Sequence, residues 1–336
     1  MRIFVRLVAA GLYFSSCSAG IYAQQIMVDT PVEPPGTHSF QVRWDSDLER
    51  VIAYRDVSEP NLPAIRILSS SGSKVSIFPL KDFPGSGFID IWDATGAPNG
   101  DIVVAAILGY GPRNVKPVPL KSLLLTYDGS GTLKRVWDVK PYHHHRIAAD
   151  SAGNVFALGD GGKDDYPLLI KYSESGEVLG EFLSSGLFSA KDSVVDMISP
   201  NGQPQLFIKN DRLNVWIAAT RELYAFSLDG VLLSSTSLSA AVQSIADQSG
   251  SSQVRILEIQ VDSNQGIISQ VRLFPKDQKL PAAVGVARLK TNGSFDSWVE
   301  PFSRGDVHRF MGLTSNDKAV FLEKVHDRTV AINLSK

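Results

Sequence analysis

The 336-residue chain has one cysteine, Cys17, almost no net charge and no apolar stretch of bilayer length. A single thiol excludes a disulfide scaffold, which needs several. Lys plus Arg number 33 against 35 Asp plus Glu, a formal net charge of -2, and no long basic run interrupts that balance. The electrostatic footprint of a nucleic-acid binder is therefore missing. The longest early apolar segment, from Ile3 to Phe14, falls short of the roughly 20 residues that a spanning helix requires. Apolar residues show no sustained three-to-four spacing, which counts against a helical fold. Gly-x-Ser-x-Gly, Walker-loop and His-Glu-x-x-His patterns are absent too, and with them the easily recognised hydrolase and nucleotide sites. What remains, 43% hydrophobic and 20% charged residues, is the composition of a globular chain long enough to bury a full core.

The first two dozen residues read as an address. Arg2 and Arg6 flank or interrupt the apolar segment, the small polar run Ser15 to Gly20 follows, and Ala23 offers a cleavage point. These are the parts of a secretory signal peptide covering residues 1–23. Export to the periplasm or the extracellular space is the expectation, with residues 24–336 as the mature chain. Its charge would be 31 minus 35, or -4, and it would contain no cysteine. The alternative is a lipoprotein anchored through Cys17, although Phe14 stands where a bacterial lipobox usually has Leu.

The body of the chain repeats. One unit is an alternating strand, a Gly-containing turn and a second strand. It occurs at Ala64 to Phe78, at Leu123 to Val139 around Asp128-Gly129-Ser130-Gly131, and at Leu168 to Leu183 around Gly176. It returns at Glu222 to Thr236 around Asp229-Gly230 and at Gly285 to Val299 around Asn292-Gly293. Asp-Gly and Asn-Gly between alternating apolar residues signal hairpins, because these residues accept the positive φ of the favoured turns. A second unit lies between them, clearest in Arg146 to Leu158, where a turn led by Asp150 separates two strands. Asp45, Asp93 and Asp262 open comparable segments, and Asp in that place normally caps its own turn. Weaker copies lacking the Asp begin at Met197 to Asn201 and Phe310 to Asp317. Together the units predict an all-β protein of four-stranded antiparallel sheets at about 39–80, 86–139, 143–184, 192–236, 254–299 and 308–336. The last sheet is one strand short, and Gln25 to Asp29 is a spare strand that can complete it, closing a ring.

The Asp150-Ser151-Ala152-Gly153-Asn154 turn and the Asp229-Gly230 and Asn292-Gly293 hairpins resemble those of six-bladed β-propellers of the NHL and TolB-like type. Trp44-Asp45, Trp92-Asp93 and Trp137-Asp138 echo WD40 repeats, but the Gly-His pair of that family is lacking. The resemblance implies a single propeller domain that recognises a ligand or a protein partner at one face of the ring. It also implies an alternative, since some six-bladed relatives are lactonases or lyases with a divalent metal in the channel. No cofactor is expected on the first reading, nor any nucleic acid or transmembrane helix, and a monomer is expected.

Candidate site residues come from the repeat register. His143-His144-His145 cannot all bind one metal from a strand, because successive side chains point to opposite faces. Counted from Asp150, the position of His143 falls on His38, Ser86, Asp192, Arg255 and His308 in the other repeats. At the starts of innermost strands these residues would ring one mouth of the channel. His38, His143 and His308 suit a metal, and the wider set, His38, His143, Asp192, Arg255 and His308, suits an anionic ligand. Solvated loop residues are the plainer interpretation. Trp137 and Trp298, on outer strands, are expected to pack between sheets, and the acidic segment Gly159 to Asp165 departs from a calcium loop in spacing.

Overall fold

The computed structural model describes residues 26–29, 41–56, 64–69, 73–111, 120–161, 167–184, 187, 204–277, 279–303, 309–325 and 329–334. They form a β-propeller of four-stranded antiparallel sheets. Five sheets are each built from consecutive strands. The first holds β1's successors β2 (Gln41–Asp45), β3 (Arg50–Asp56), β4 (Ala64–Ser69) and β5 (Lys74–Ile77), where β1 is Ile26–Asp29. The second holds β6 (Phe88–Gly96), β7 (Ile102–Gly109), β8 (Leu120–Tyr127) and β9 (Leu133–Asp138). The third holds β10 (His143–Ala149), β11 (Val155–Asp160), β12 (Leu169–Tyr172) and β13 (Val178–Phe182). The fourth runs β14 (Gln205–Lys209), β15 (Arg212–Ile217), β16 (Glu222–Ser227) and β17 (Leu232–Ser237), and the fifth β18 (Ser251–Val261), β19 (Ile267–Pro275), β20 (Ala283–Leu289) and β21 (Phe295–Ser303).

The remaining sheet joins the two ends of the described chain. Its order is β1-β24-β23-β22, with β22 at Arg309–Leu313, β23 at Ala319–Val325 and β24 at Thr329–Leu334. β1 runs antiparallel to β24 with Ile26 opposite Ile332 and Asp29 opposite Thr329. The spare N-terminal strand thus supplies the outermost strand of the last sheet, as its sequence position suggests. The innermost strands neighbour one another in cyclic order: β2 with β6, then β10, β14, β18, β22 and β2 again.

Strand composition follows distance from the axis. β7, Ile-Val-Val-Ala-Ala-Ile-Leu-Gly, is nearly all buried, as expected of a strand covered on both faces by neighbouring sheets. β9 alternates half-buried Leu133, Arg135 and Trp137 with exposed Lys134, Val136 and Asp138. The Trp137 indole faces Gly176 in the turn of the next sheet, and Trp298 packs beside Phe295 on the core, so both tryptophans fill gaps between layers. Trp44 donates its indole N–H to the Leu313 carbonyl at 3.0 Å, which fastens the first sheet to the last.

The outer turns are those the Gly positions indicate. Gly131, Gly176, Gly230 and Gly293 all have φ near +80 to +90°. A Cβ at Gly230 would collide with the Phe182 ring of the adjacent sheet, and one at Gly293 with the Ser237 carbonyl. Asp150 caps its turn by accepting from the backbone N–H groups of Ala152 and Asn154, each at 2.9 Å, and Asp262 does the same for Asn264 and Gly266.

Two expectations need correcting. An α-helix, α1 (Ser239–Ser249), lies between the fourth and fifth sheets and buries Ala241, Val242 and Ile245 against the core. It is a short segment with its own three-to-four apolar spacing (Leu238, Ala241, Val242, Ile245) and ends on Gly250 in the left-handed region. Among the described residues the fourth sheet begins at Gln205, while Asp192 and Met197 lie outside them; its first hairpin, Gln205–Lys209 with Arg212–Ile217, turns through Asn210 and Asp211, both at positive φ, and not at the 197–201 segment.

Candidate functional site

A cavity of about 230 Å³ lies on the ring axis. Every innermost strand contributes to its wall: Arg43 from β2, Asp93 from β6, Arg146 from β10, Gln205 from β14, Glu258 from β18 and Arg309 from β22. A mixed ring of cations, carboxylates and an amide follows from strand alternation together with a recurrent irregularity. β6, β10, β18 and β22 each carry a bulge, at Trp92, His145, Leu257 and Met311, where one extra residue interrupts pairing with the second strand. An extra residue bends the strand and turns the following side chain to a new direction. Asp93, Arg146 and Glu258 come directly after their bulges, and each stands four residues before the one that opens the first hairpin turn, Ala97, Asp150 and Asp262.

Innermost strands are also sheet edges, whose axis-facing backbone groups must find partners. Channel side chains from other sheets supply them. Asp93 accepts from Ile147 N–H at 2.8 Å, while Arg43 donates to the Ile147 carbonyl at 2.8 Å and the Leu206 carbonyl at 2.6 Å. Gln205 accepts from Ile259 N–H at 2.8 Å and donates to the Leu257 carbonyl at 2.9 Å. Arg146 donates to the carbonyls of Pro204 and His145. Arg43 further pairs with Asp93 at 2.9 Å, and Tyr54 donates its hydroxyl to the other Asp93 oxygen at 2.7 Å. Burial and the Asp93 charge push the Tyr54 hydroxyl well above its ordinary range, so it stays a donor.

Glu258 and Arg309 behave differently. Neither side chain makes a hydrogen bond among the described residues, and Arg309 as a residue is exposed. Burial, the larger effect, pushes the Glu258 carboxyl up to about 7, against the pull of Arg309, Arg43 and Arg146. Glu258 is only half-buried by accessible surface, because it borders the cavity while being surrounded by protein at longer range.

The histidine run is largely structural. His144 is buried, its Nε2 lies 2.9 Å from the Tyr172 hydroxyl, and it stacks on Tyr142. Desolvation, helped by the neighbouring histidines, pushes it down to about 3. His145, the bulge residue, pairs with Asp160 at 2.9 Å and lies over Trp92, with ring centroids 4.5 Å apart. The hydrogen bond from His145 holds Asp160 below the usual carboxylate range despite partial burial. His143 opens β10 opposite Asp160, and Arg255 is exposed with its guanidinium 5.3 Å from the Phe274 ring centre. Neither lines the cavity. His38, Asp192 and His308 lie outside the described residues, as does most of the acidic segment at 162–166. Among the described residues no group of three or more His, Cys, Asp or Glu side chains is gathered for a metal ion.

Sequence register misplaces the second repeat. Asp93 is no turn-capping equivalent of Asp150; it stands four residues earlier and faces the channel, so Ser86 is not the counterpart of His143. The visible signal was the Asn99-Gly100-Asp101 turn, where Asp101 N–H donates to Asn99.

No family model matches the chain, and no curated protein matches it. Solved structures do. A member of the DUF4221 family from Bacteroides vulgatus is similar at 11% identity over 94% of this chain and 97% of that one, with a TM-score of 0.50. Proteins of unknown function from Bacteroides thetaiotaomicron (10% identity, 93% of this chain and 76% of that one, TM-score 0.48) and Bacteroides caccae (10%, 83% and 94%, 0.46) are also similar. At such identities the likeness concerns the fold alone. Among the described residues no helix is long and apolar enough to cross a membrane.

Proposed function

We propose that this chain is an exported, six-bladed β-propeller of the NHL and TolB-like kind that binds a ligand in its axial channel and performs no chemistry on it. The observation that supports a binding role is the polar cavity to which all the innermost strands contribute, with Glu258 and Arg309 left without side-chain hydrogen bonds among the described residues while Asp93, Gln205 and Arg43 are consumed in bonds to the backbone of other innermost strands. A concave site with a few convergent polar groups is the usual form of a small-molecule pocket. Export rests on residues 1–23, and cell fractionation with N-terminal sequencing of the mature protein tests it.

The binding reading is tested with a chemically mixed panel of small solutes, cationic, neutral and anionic, screened by thermal shift against the mature protein. A Gln260→Trp variant, which fills the cavity from β18, serves as the control. Stabilisation by at least one solute, lost in the filled variant while its unfolding transition stays cooperative, is expected. Equal stabilisation of both proteins would place binding elsewhere.

A further inference from the structure

We propose that the channel takes up a small dicarboxylate between Arg309 and Arg146, and that Glu258 binds a proton as the ligand enters. This rests on the channel-binding reading above and specifies its ligand.

The charges that face Glu258 come from each neighbouring element: Arg43 on β2, Asp93 on β6, Arg146 on β10 and Arg309 on β22, with neutral Gln205 from β14. Arg43 and Asp93 neutralise one another at 2.9 Å. Among the described residues Arg146 is held by carbonyl oxygens, which orient its guanidinium without cancelling its charge. Arg309 has no hydrogen-bond partner among the described residues. Two positive charges are left facing one carboxyl. With Glu258 ionised these side chains carry one surplus positive charge and with it protonated two, which a dianion balances; the other carboxylates of the cavity wall, Asp45, paired with Arg50 at 2.7 Å, and Asp47, are not among the main charges acting on Glu258. A protonated Glu258 also becomes a donor toward a ligand oxygen, whereas the ionised form would repel it. Guanidinium groups suit carboxylates because their paired N–H groups match the two oxygens. The cavity has room for roughly eight water volumes, which fits a chain of about four carbons with a carboxylate at each end.

The raised pKa of Glu258 puts the switch near neutrality, so that the ligand and the proton promote each other's binding. Isothermal titration calorimetry with succinate at pH 6 and pH 8, in buffers of different ionisation enthalpy, reads both. Affinity about tenfold higher at pH 6 is expected, with uptake of up to one proton at the upper pH. Arg309→Gln, at an exposed residue, should weaken binding by about tenfold or more. Glu258→Gln should abolish the pH dependence of the affinity. Succinate binding that is the same at both pH values, or unchanged in Arg309→Gln, overturns the proposal. Failure of succinate to bind while a neutral or cationic solute binds and is blocked by Gln260→Trp overturns the proposal and leaves the channel reading standing. Failure of every solute in the panel sinks both.

Discussion

The Arg43 guanidinium lies 2.9 Å from the Asp93 carboxylate and joins the innermost strands of two sheets beside the axis. Asp93 is almost wholly buried, and its oxygens also receive the Tyr54 hydroxyl and the Ile147 N–H. Removing the carboxylate leaves a cation, a hydroxyl and an amide without their partner. Asp93→Ala should cost about 3–5 kcal/mol in urea unfolding. In a double-mutant cycle, Arg43→Met should add less than its single-variant cost when Asp93 is already Ala. Full additivity would show that the two do not act together.

His144 and Glu258 oppose each other in pH dependence. His144 is held near 3 in the folded protein, below its ordinary 6.5, so protons favour the unfolded chain and stability falls as pH drops from about 6.5 toward 3. Glu258 is held near 7, above its ordinary 4.5, so its contribution to stability falls as pH rises from about 4.5 to 7. Between about pH 4.5 and 6.5 the two slopes cancel. His144→Gln should therefore unmask a stability that declines with rising pH, and Glu258→Gln one that increases, each with a slope of up to about 1.4 kcal/mol per pH unit. Chemical denaturation at several pH values measures both slopes, and parallel curves for the two variants would contradict the assignment.

Gly230 turns at φ +89° against the Phe182 ring. Gly230→Ala combines a strained backbone with a steric clash between two sheets and should lower stability by about 1–3 kcal/mol. Gly250→Ala, also at positive φ but with open space around it, should cost less, because only the backbone term applies. Thermal unfolding of the two variants separates the contributions.

Removing residues 25–29 strips β1 from β24 and exposes the latter's pairing edge. The melting temperature should fall by several degrees, and self-association should rise as the bare edge finds a partner. Light scattering beside the melting curve checks both, and an unchanged transition would show that the closing strand adds nothing.

Much of this architecture was legible because each hairpin carries its own local chemistry. Asp-Gly at 229–230, Asn-Gly at 292–293 and the Asp150 turn name their positions without reference to the rest of the fold. The spare strand at Ile26–Asp29 was legible by counting. The channel was not. Trp92, His145, Leu257 and Met311 share a bulge but no chemical character, and a one-residue bulge reverses which side chains face the axis. Strand alternation read through His143-His144-His145 therefore points to the wrong neighbours: His144 meets Tyr172 and His145 meets Asp160. Glu258 and Arg309 carried no motif, since each owes its place to strands far away in sequence. Helix α1 was hidden for the opposite reason, being too short to dominate a chain of alternating strands.

The pairing of Ile26 with Ile332 spans 306 residues, and closing so long a loop costs on the order of 5 kcal/mol in chain entropy before any contact repays it. During synthesis the strand that emerges among the first has to wait, unpaired, until β24 has been made. The interval in which β1 and the open edge of the last sheet are both available is the interval in which another copy can be captured instead. A chaperone that shields extended apolar segments would act at this stage, and the yield of ring-closed monomer would depend on protein concentration during refolding even though the finished ring would not.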